Sequence, residues 1–423
     1  MTTNDAFGRV LTAWLDEDAP HHVADHLDEV LQLTAATRQR PAWSSPERWL
    51  PMDLTTRIPS VRSPSAALRP IALLIVLALL VAALVAVAIG TRQRSLEPFG
   101  LARNGTWVSS ADGDLYTIDP VTGANAPLVV DAGFDFSPIF SRDGTRIAFL
   151  RSDGPIGNPA ILTLMVANAD GSAVHAVTEP IQALDWWDWS PDGTRIAFMA
   201  SALLFVVDTA TGDTIRLDAG GRVHFPTWLP PDGRQIVFRH GTGRPGIWAV
   251  NPDGTGLTEL SKTTPNNEYD FQSPALSPDG TTITFTRWST GGIPRVYALD
   301  VATGSERVFP TASGTSQRGW APFSPDGSLI AYQQLLRDGA SQLVVAASDG
   351  SGEARPVGPG MPANNEGNPI DVSVLFTPDG TALIVRYGTD DGGTTHRLPL
   401  DGSAGSIISE GTFEFVDVQR VAP

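Results

Sequence analysis

From about residue 105 onward, apolar and polar residues alternate in short runs, and each run is closed by Gly, Pro, Asn or Asp. Such alternation sends successive side chains to opposite faces of an extended strand, and the turn-forming punctuation makes the region a series of hairpins. One ten-residue pattern recurs six times: FSRDGTRIAF (140–149), WSPDGTRIAF (189–198), LPPDGRQIVF (229–238), LSPDGTTITF (276–285), FSPDGSLIAY (323–332) and FTPDGTALIV (376–385). Its Asp-Gly pairs begin at Asp143, Asp192, Asp232, Asp279, Asp326 and Asp379, with spacings of 49, 40, 47, 47 and 53. Repeats of about 40–50 residues built from short strands indicate the blades of a β-propeller.

Each repeat has its own local physics. In Ser-Pro-Asp-Gly the proline presets φ, the aspartate caps the turn, and the glycine takes the left-handed position. The alternating residues that follow, such as Ile147/Phe149 and Ile196/Phe198, are expected to bury one face of a strand. A second kind of hairpin interleaves with the first, for example LYTIDPVTGANAPLV (115–129), LFVVDTATGDTIRLD (204–218) and VYALDVATGSERVF (296–309). There are seven of these outer hairpins against six inner ones. Thr106–Ser109 is one strand too few for a first blade, and Phe413–Gln419 is a strand without a blade. Pairing the two closes the ring and leaves no unpaired edge. The expected architecture is an all-β propeller of seven blades, with six blades and irregular ends as the alternative.

These motifs resemble the TolB-like repeats, a β-propeller family related to WD repeats and found also in prolyl-oligopeptidase-type enzymes. The resemblance implies the fold and leaves the function open, because such propellers serve as docking platforms, ligand binders and enzyme lids. Within these residues neither the α/β domain that precedes the propeller in TolB nor the α/β-hydrolase domain of the peptidases is found.

Upstream the pattern changes. Ile71 to Ile89 is a run of nineteen residues without a charged or hydrogen-bonding side chain. As a helix it would span roughly 28 Å, close to the ~30 Å hydrocarbon core of a bilayer. Before it, Phe7, Val10, Leu11, Trp14 and Leu15 fall at helical spacing, and Val23, Leu27, Val30 and Leu31 mark a second amphipathic helix. The expected organisation is a small helical cytoplasmic segment with a tether (1–65), a transmembrane helix (66–90), a linker (91–104) and the propeller (105–423). Arg57, Arg62 and Arg69 on one side balance Arg92, Arg94 and Arg103 on the other, so flanking charge does not orient the helix. The propeller is assigned to the extracytoplasmic side because residues 1–65 are too short for a stable core and suit a docking role inside the cell. This layout is similar to that of membrane-bound anti-sigma regulators, although their His-and-Cys zinc motif is absent.

The chain carries a net charge of −17, and residues 95–423 alone account for −17, with 37 acids against 20 bases. A surface this acidic repels phosphate backbones and argues against nucleic-acid binding. With no cysteine in the sequence, disulfides, thiol nucleophiles and Cys-based metal sites drop out.

Candidate chemistry is sparse. GTGRPG (241–246) fits a phosphate-loop pattern but sits between strands, where no helix could receive a phosphate. No GxSxG elbow occurs. His22 and His26 read as a solvated helix face, and Asp112-Gly113-Asp114 as a turn; no metal or cofactor is expected. The tryptophan run at Trp186, Trp187 and Trp189 reads as packing between blades. Long polar loops with aromatics at one end of a propeller are the better binding candidates. They are Asn266, Asn267, Glu268, Tyr269 and Asp270 in one loop, Arg318 and Trp320 in a second, and Asn364, Asn365 and Glu366 in a third. Secondary candidates are Arg151, Arg239, Arg287 and Arg386, which recur at the ends of second strands. The expected role is a binding module, with a sensory function in view, that takes an envelope protein or small ligand on the propeller face. A cytoplasmic protein would be the partner of residues 1–65, and the membrane would be engaged through 71–89. The alternative is a propeller hydrolase or lyase working at the channel mouth.

Overall fold

The computed structural model describes residues 96–422, apart from 132, 153, 155–160, 242–244, 262–273, 289–293, 311–314, 337–339, 362–371, 390–391 and 412–415. The N-terminal helices, the tether and the 71–89 run lie outside the described residues. Among those described, no helix is long and apolar enough to cross a membrane.

The strands form seven antiparallel sheets, one per blade, each built on four strands; in blades 2 to 7 these follow sequence order from the inside out. Blade 2 runs Phe134–Phe140, Arg146–Ser152, Ile161–Asn168 and His175–Ala176, with Ile181–Gln182 also paired to its third strand. Blade 3 runs Leu184–Trp189, Arg195–Ala200, Leu203–Asp208 and Thr214–Leu217, and blade 4 Val223–Trp228, Ile236–His240, Gly246–Val250 and Thr258–Glu259. Blades 5, 6 and 7 begin at Ala275–Leu276, Ser316–Arg318 and Val372–Phe376. Blade 1 is the composite: Arg103–Ala111, Asp114–Ile118 and Asn125–Val129 receive Val416–Val421 from the C-terminal end as their innermost strand. The register pairs Trp107 with Val418, Val108 with Asp417 and Ser109 with Val416. The expected closure is therefore present, and the count is seven.

The repeat turns form as their residues dictate. Ser190 Oγ donates to Asp192 Oδ1 at 2.6 Å and accepts from the Arg195 N–H at 2.9 Å, while the Thr194 N–H reaches Asp192 Oδ1 at 3.0 Å. The same arrangement recurs at Ser141/Asp143, Ser277/Asp279, Ser324/Asp326 and Thr377/Asp379. Burial raises the pKa of each of these carboxyls, but the hydroxyl and backbone donors outweigh it and leave the value lowered. Blade 4 departs from the pattern, with Pro230 where the other turns carry Ser or Thr. At the Asp112-Gly113 hairpin both residues have positive φ, 52° and 90°, the two-residue turn that suits the twist of paired strands.

Packing between blades makes the core. The second strands are buried on both faces, not one. In blade 2, Ile147 and Phe149 belong to the cluster shared with blade 1, and Ala148 and Leu150 to the one shared with blade 3. A strand in the middle of a propeller blade meets a neighbour on either side, so both sets of alternating residues are apolar and the alternation does not read as buried against exposed. Inner-turn glycines sit against the preceding blade: a Cβ at Gly280 would overlap the Pro230 carbonyl oxygen, and one at Gly144 the Arg420 carbonyl oxygen. Residues before the first strand are also tied to the ring, since the Arg420 guanidinium donates to the carbonyls of Glu97, Pro98 and Gly100.

Candidate functional site

The tryptophan run divides as alternation requires. Trp187 and Trp189 are buried between blades 2 and 3, and the Trp189 indole N–H reaches the Ile139 carbonyl at 3.2 Å. Trp186 stays half-buried and meets Phe225 of blade 4 edge to face, with ring centroids 5.3 Å apart. Aligning the repeats shows why. Trp186 and Trp320 both stand six residues before the turn aspartate of their blades, and Phe225 stands seven before, because Leu229 adds one residue to blade 4. Two innermost strands, in blades 3 and 4, and the segment just after the innermost strand of blade 6 thus carry an accessible aromatic at one equivalent position of the repeat, and Trp320 is 37% exposed. Phe225 holds a φ of 54° at a bulge between His224 and Thr227, an uncommon conformation for an aromatic residue. Comparison of the repeats position by position carries this signal; inspection of loop lengths does not.

The four arginines at the ends of second strands do not form one ring. Arg151 and Arg287 lie two residues beyond Phe149 and Phe285, on the same side of the strand as those rings, and each guanidinium covers its ring at 5.6 and 5.7 Å. Arg239 and Arg386 directly follow Phe238 and Val385 and so take the opposite face. Arg151 is engaged: its fork donates to both oxygens of Asp135 at 2.7 Å, and it also contacts Asp131 at 2.5 Å. Asp135 is 1% exposed, and its burial pushes the carboxyl up while Arg151 pulls it back; the pair holds the arginine above its usual range. Arg287 is also engaged, 2.8 Å from Glu306 and 4.0 Å over the Tyr297 ring. Arg386 stands opposite Ser373 in the ladder.

Arg239 differs. It is half-buried, and the residue opposite it in the ladder is His224 where blade 2 places Asp135 opposite Arg151. Burial alone lowers the Arg239 pKa, with no hydrogen bond or charge among the described residues to counter it. His224 is lowered by burial first, then by Arg239 and Arg222, with Asp185 acting the other way. Its ring lies 6.2 Å from that of Phe225. Of the loop candidates, Asn266, Asn267, Glu268, Tyr269, Asp270, Asn364, Asn365 and Glu366 lie outside the described residues. Arg318 ends the first strand of blade 6, and its side chain is likewise outside the description. Trp320 is anchored through its neighbours: Thr286 donates to the Gly319 carbonyl at 2.7 Å and Thr284 to that of Ala321 at 2.6 Å. A shallow cavity of about 380 Å³ lies elsewhere, at the outer strands of blades 6 and 7 between Arg355, Pro356, Leu398 and Pro399. Among the described residues no cluster of three His, Asp or Glu could hold a metal ion.

Comparison with known proteins agrees with the fold. A stretch of 124 residues is 30% identical to a TolB homologue of Chlorobaculum tepidum; it covers 29% of this chain and about a quarter (26%) of that protein's length. An oligogalacturonate lyase from Vibrio parahaemolyticus superposes with a TM-score of 0.52 at 15% identity, over 71% of this chain and 91% of that one. A prolyl endopeptidase structure gives 0.52 at 16% identity, over 78% of this chain and 52% of the other. At such identities the likeness is one of fold alone. Residues 145–355 match the family described as the TolB beta propeller domain, PD40. Over those residues, just under half of the chain, the propeller is similar to the TolB PD40 β-propeller family.

Proposed function

We propose that this chain is a membrane-anchored, extracytoplasmic interaction module, without catalytic activity of its own, that presents the inner strands and loops at one end of its ring to an envelope partner or ligand. The observation that carries the reading is the repeated placement of an accessible aromatic, Trp186, Phe225 and Trp320, at one position of the repeat, on the innermost strands of blades 3 and 4 and just past that of blade 6. Aromatics held on rigid elements bury much area at little entropic cost, which is what recognition surfaces use. The anchor is the apolar run 71–89, and residues 1–65 are the segment that would relay occupancy to a cytoplasmic partner.

The test is capture by cross-linking of the full-length chain in its own membrane. Trp320→Ala, and separately Asn266→Ala with Asn267→Ala, should leave thermal stability within about 1 kcal/mol, as exposed substitutions do, and should lose the cross-linked partner. Full recovery of the same partner by both variants would remove the site from this end of the ring.

A further inference from the structure

We propose that residues 97–104 form a strap that takes the place of the inner turn blade 1 lacks and latches the ring there, so that drawing the strap off releases the closing blade. This goes beyond the binding role proposed above and stands without it.

The need for a latch comes from a gap in the chain. In blades 2 to 7 an Asp-Gly turn lies between the first strand and the second. In blade 1 no turn can, because Val416–Val421 and Arg103–Ala111 come from opposite ends of the propeller sequence. Two strands held only by hydrogen bonds open more readily than a hairpin whose turn keeps its ends together.

The strap lies at this joint and reaches the blades on either side. Its centre is the Arg420 guanidinium, at the end of the closing strand. Nη1 donates to the carbonyls of Glu97, at 3.0 Å, and Pro98, and Nη2 to that of Gly100 at 2.8 Å, so three carbonyls within four residues turn onto one cation. Gly100 permits the curl with a φ of 95°. Nη1 also reaches the Arg142 carbonyl, in the inner turn of blade 2, at 2.9 Å. Bonds from a charged donor are the stronger kind, and these acceptors are main-chain, so the grip follows the path of the strap and not its side chains. Burial draws the Arg420 pKa down to about 10, with Arg142 adding to the effect, which leaves the cation in place at neutral pH.

Toward blade 2, the Arg142 guanidinium stands 5.3 Å over the Phe99 ring and is held by Asp188 at 2.8 Å. Toward blade 7, the Ala102 N–H donates to the Pro378 carbonyl at 2.9 Å. Asn104 and Asp379 exchange two hydrogen bonds, Asn104 Nδ2 to Asp379 Oδ2 at 2.9 Å and the Asp379 N–H to Asn104 Oδ1 at 3.2 Å. The inner turns of blades 7 and 2 are thus pinned to one segment across the closing blade. That segment is the lightly held side of the joint. None of residues 97–101 is buried, whereas Trp107, Val416 and Val418 of blade 1 are each 4% exposed or less. With so little buried surface, the strap is the part that leaves first. Residues upstream of Glu97 run directly into it, so a pull from that side peels the strap before it loads the blades.

Hydrogen–deuterium exchange of the full-length chain in detergent, read by mass spectrometry, tests the latch. Arg420→Gln cuts the grip at its centre, and Asn104→Ala removes the blade 7 anchor should the first variant fail to fold. Either should speed exchange at 103–111 and 416–421 about tenfold, with Ile236–His240 of blade 4 unchanged. Arg355→Gln is the control. Arg355 also donates to a main-chain carbonyl, that of Leu400 at 2.8 Å, but between the outer parts of blades 6 and 7, and its loss should leave the closing blade as it was. Unchanged exchange in the closing blade of the folded strap variants overturns the latch. An equal rise in blade 4, or an equal response to Arg355→Gln, overturns it too, because the strap would then be ordinary packing.

Discussion

The carboxylate of Asp417, on the C-terminal strand, accepts a hydrogen bond from the backbone N–H of Phe140 at 2.8 Å, joining blade 1 to the innermost strand of blade 2. The same link recurs one pair of blades further on, where Asp188 accepts from the Trp228 N–H at 3.0 Å and from the Thr227 hydroxyl at 2.7 Å. The closing strand is thus bonded sideways to the next blade as well as edgewise to its own.

Removing residues 412–423 should therefore open the ring. Val416 and Val418 are each 4% exposed, and burying a valine contributes about 1.5–3 kcal/mol. The expected loss is about 3–6 kcal/mol, a large share of the ~5–15 kcal/mol of a folded domain. Chemical denaturation of the full-length and truncated chains measures it, and coincident transitions would contradict the closure.

Asp417 also sets a pH dependence. The residue is half-buried by surface area, yet protein crowds its carboxyl and pushes the pKa from 3.8 up to about 6. Between those values the folded chain binds a proton that the unfolded chain has lost, so stability falls as pH rises through the window. Asp417→Asn keeps an acceptor for the Phe140 N–H and should remove that slope, adding about 1–2 kcal/mol at pH 7 once partial exposure is allowed for. The turn aspartates act in the opposite sense. Their lowered values give stability that is present above the ordinary carboxylate range and lost as pH falls through the lowered pKa. Acid unfolding at still lower pH should therefore survive the substitution. Denaturant midpoints measured from pH 3 to pH 8 decide it; a parallel profile for the variant would reject the assignment.

Gly280 and Gly402 form a matched pair. Both have positive φ, 71° and 86°, but a Cβ on Gly280 would strike the Pro230 carbonyl of the neighbouring blade, and one on Gly402 would meet nothing within 4 Å. Gly402→Ala should cost about 1–2 kcal/mol, the left-handed penalty alone. Gly280→Ala should cost clearly more, since backbone must move to admit the methyl. Equal thermal shifts for the two would show that blades 4 and 5 approach less closely than described.

The proposed topology has a direct test. Protease added to spheroplasts should digest the propeller and spare an N-terminal epitope tag. A protected propeller beside a digested tag would reverse the orientation.

The sequence by itself determined the propeller and pointed to its closure, and it left seven blades or six for the tertiary structure to decide. Those follow from local physics: turn chemistry at Ser190-Pro191-Asp192-Gly193 and its copies, the two-residue period, and a strand count that balances when the strand within Phe413–Gln419 joins that at Thr106–Ser109, which the structure shows as Val416–Val421 beside Arg103–Ala111. What each repeated arginine does was decided by tertiary structure. Arg151 and Arg239 look equivalent in the sequence, but one residue of difference in their distance from the blade's buried Phe sends them to opposite faces, one to Asp135 and the other to His224. The burial of both faces at Ile147–Leu150 likewise comes from neighbouring blades, which a single repeat does not contain. So too does the meeting of Trp186 with Phe225, since contacts between blades join residues 39 apart in the chain and depend on the ring that brings them together.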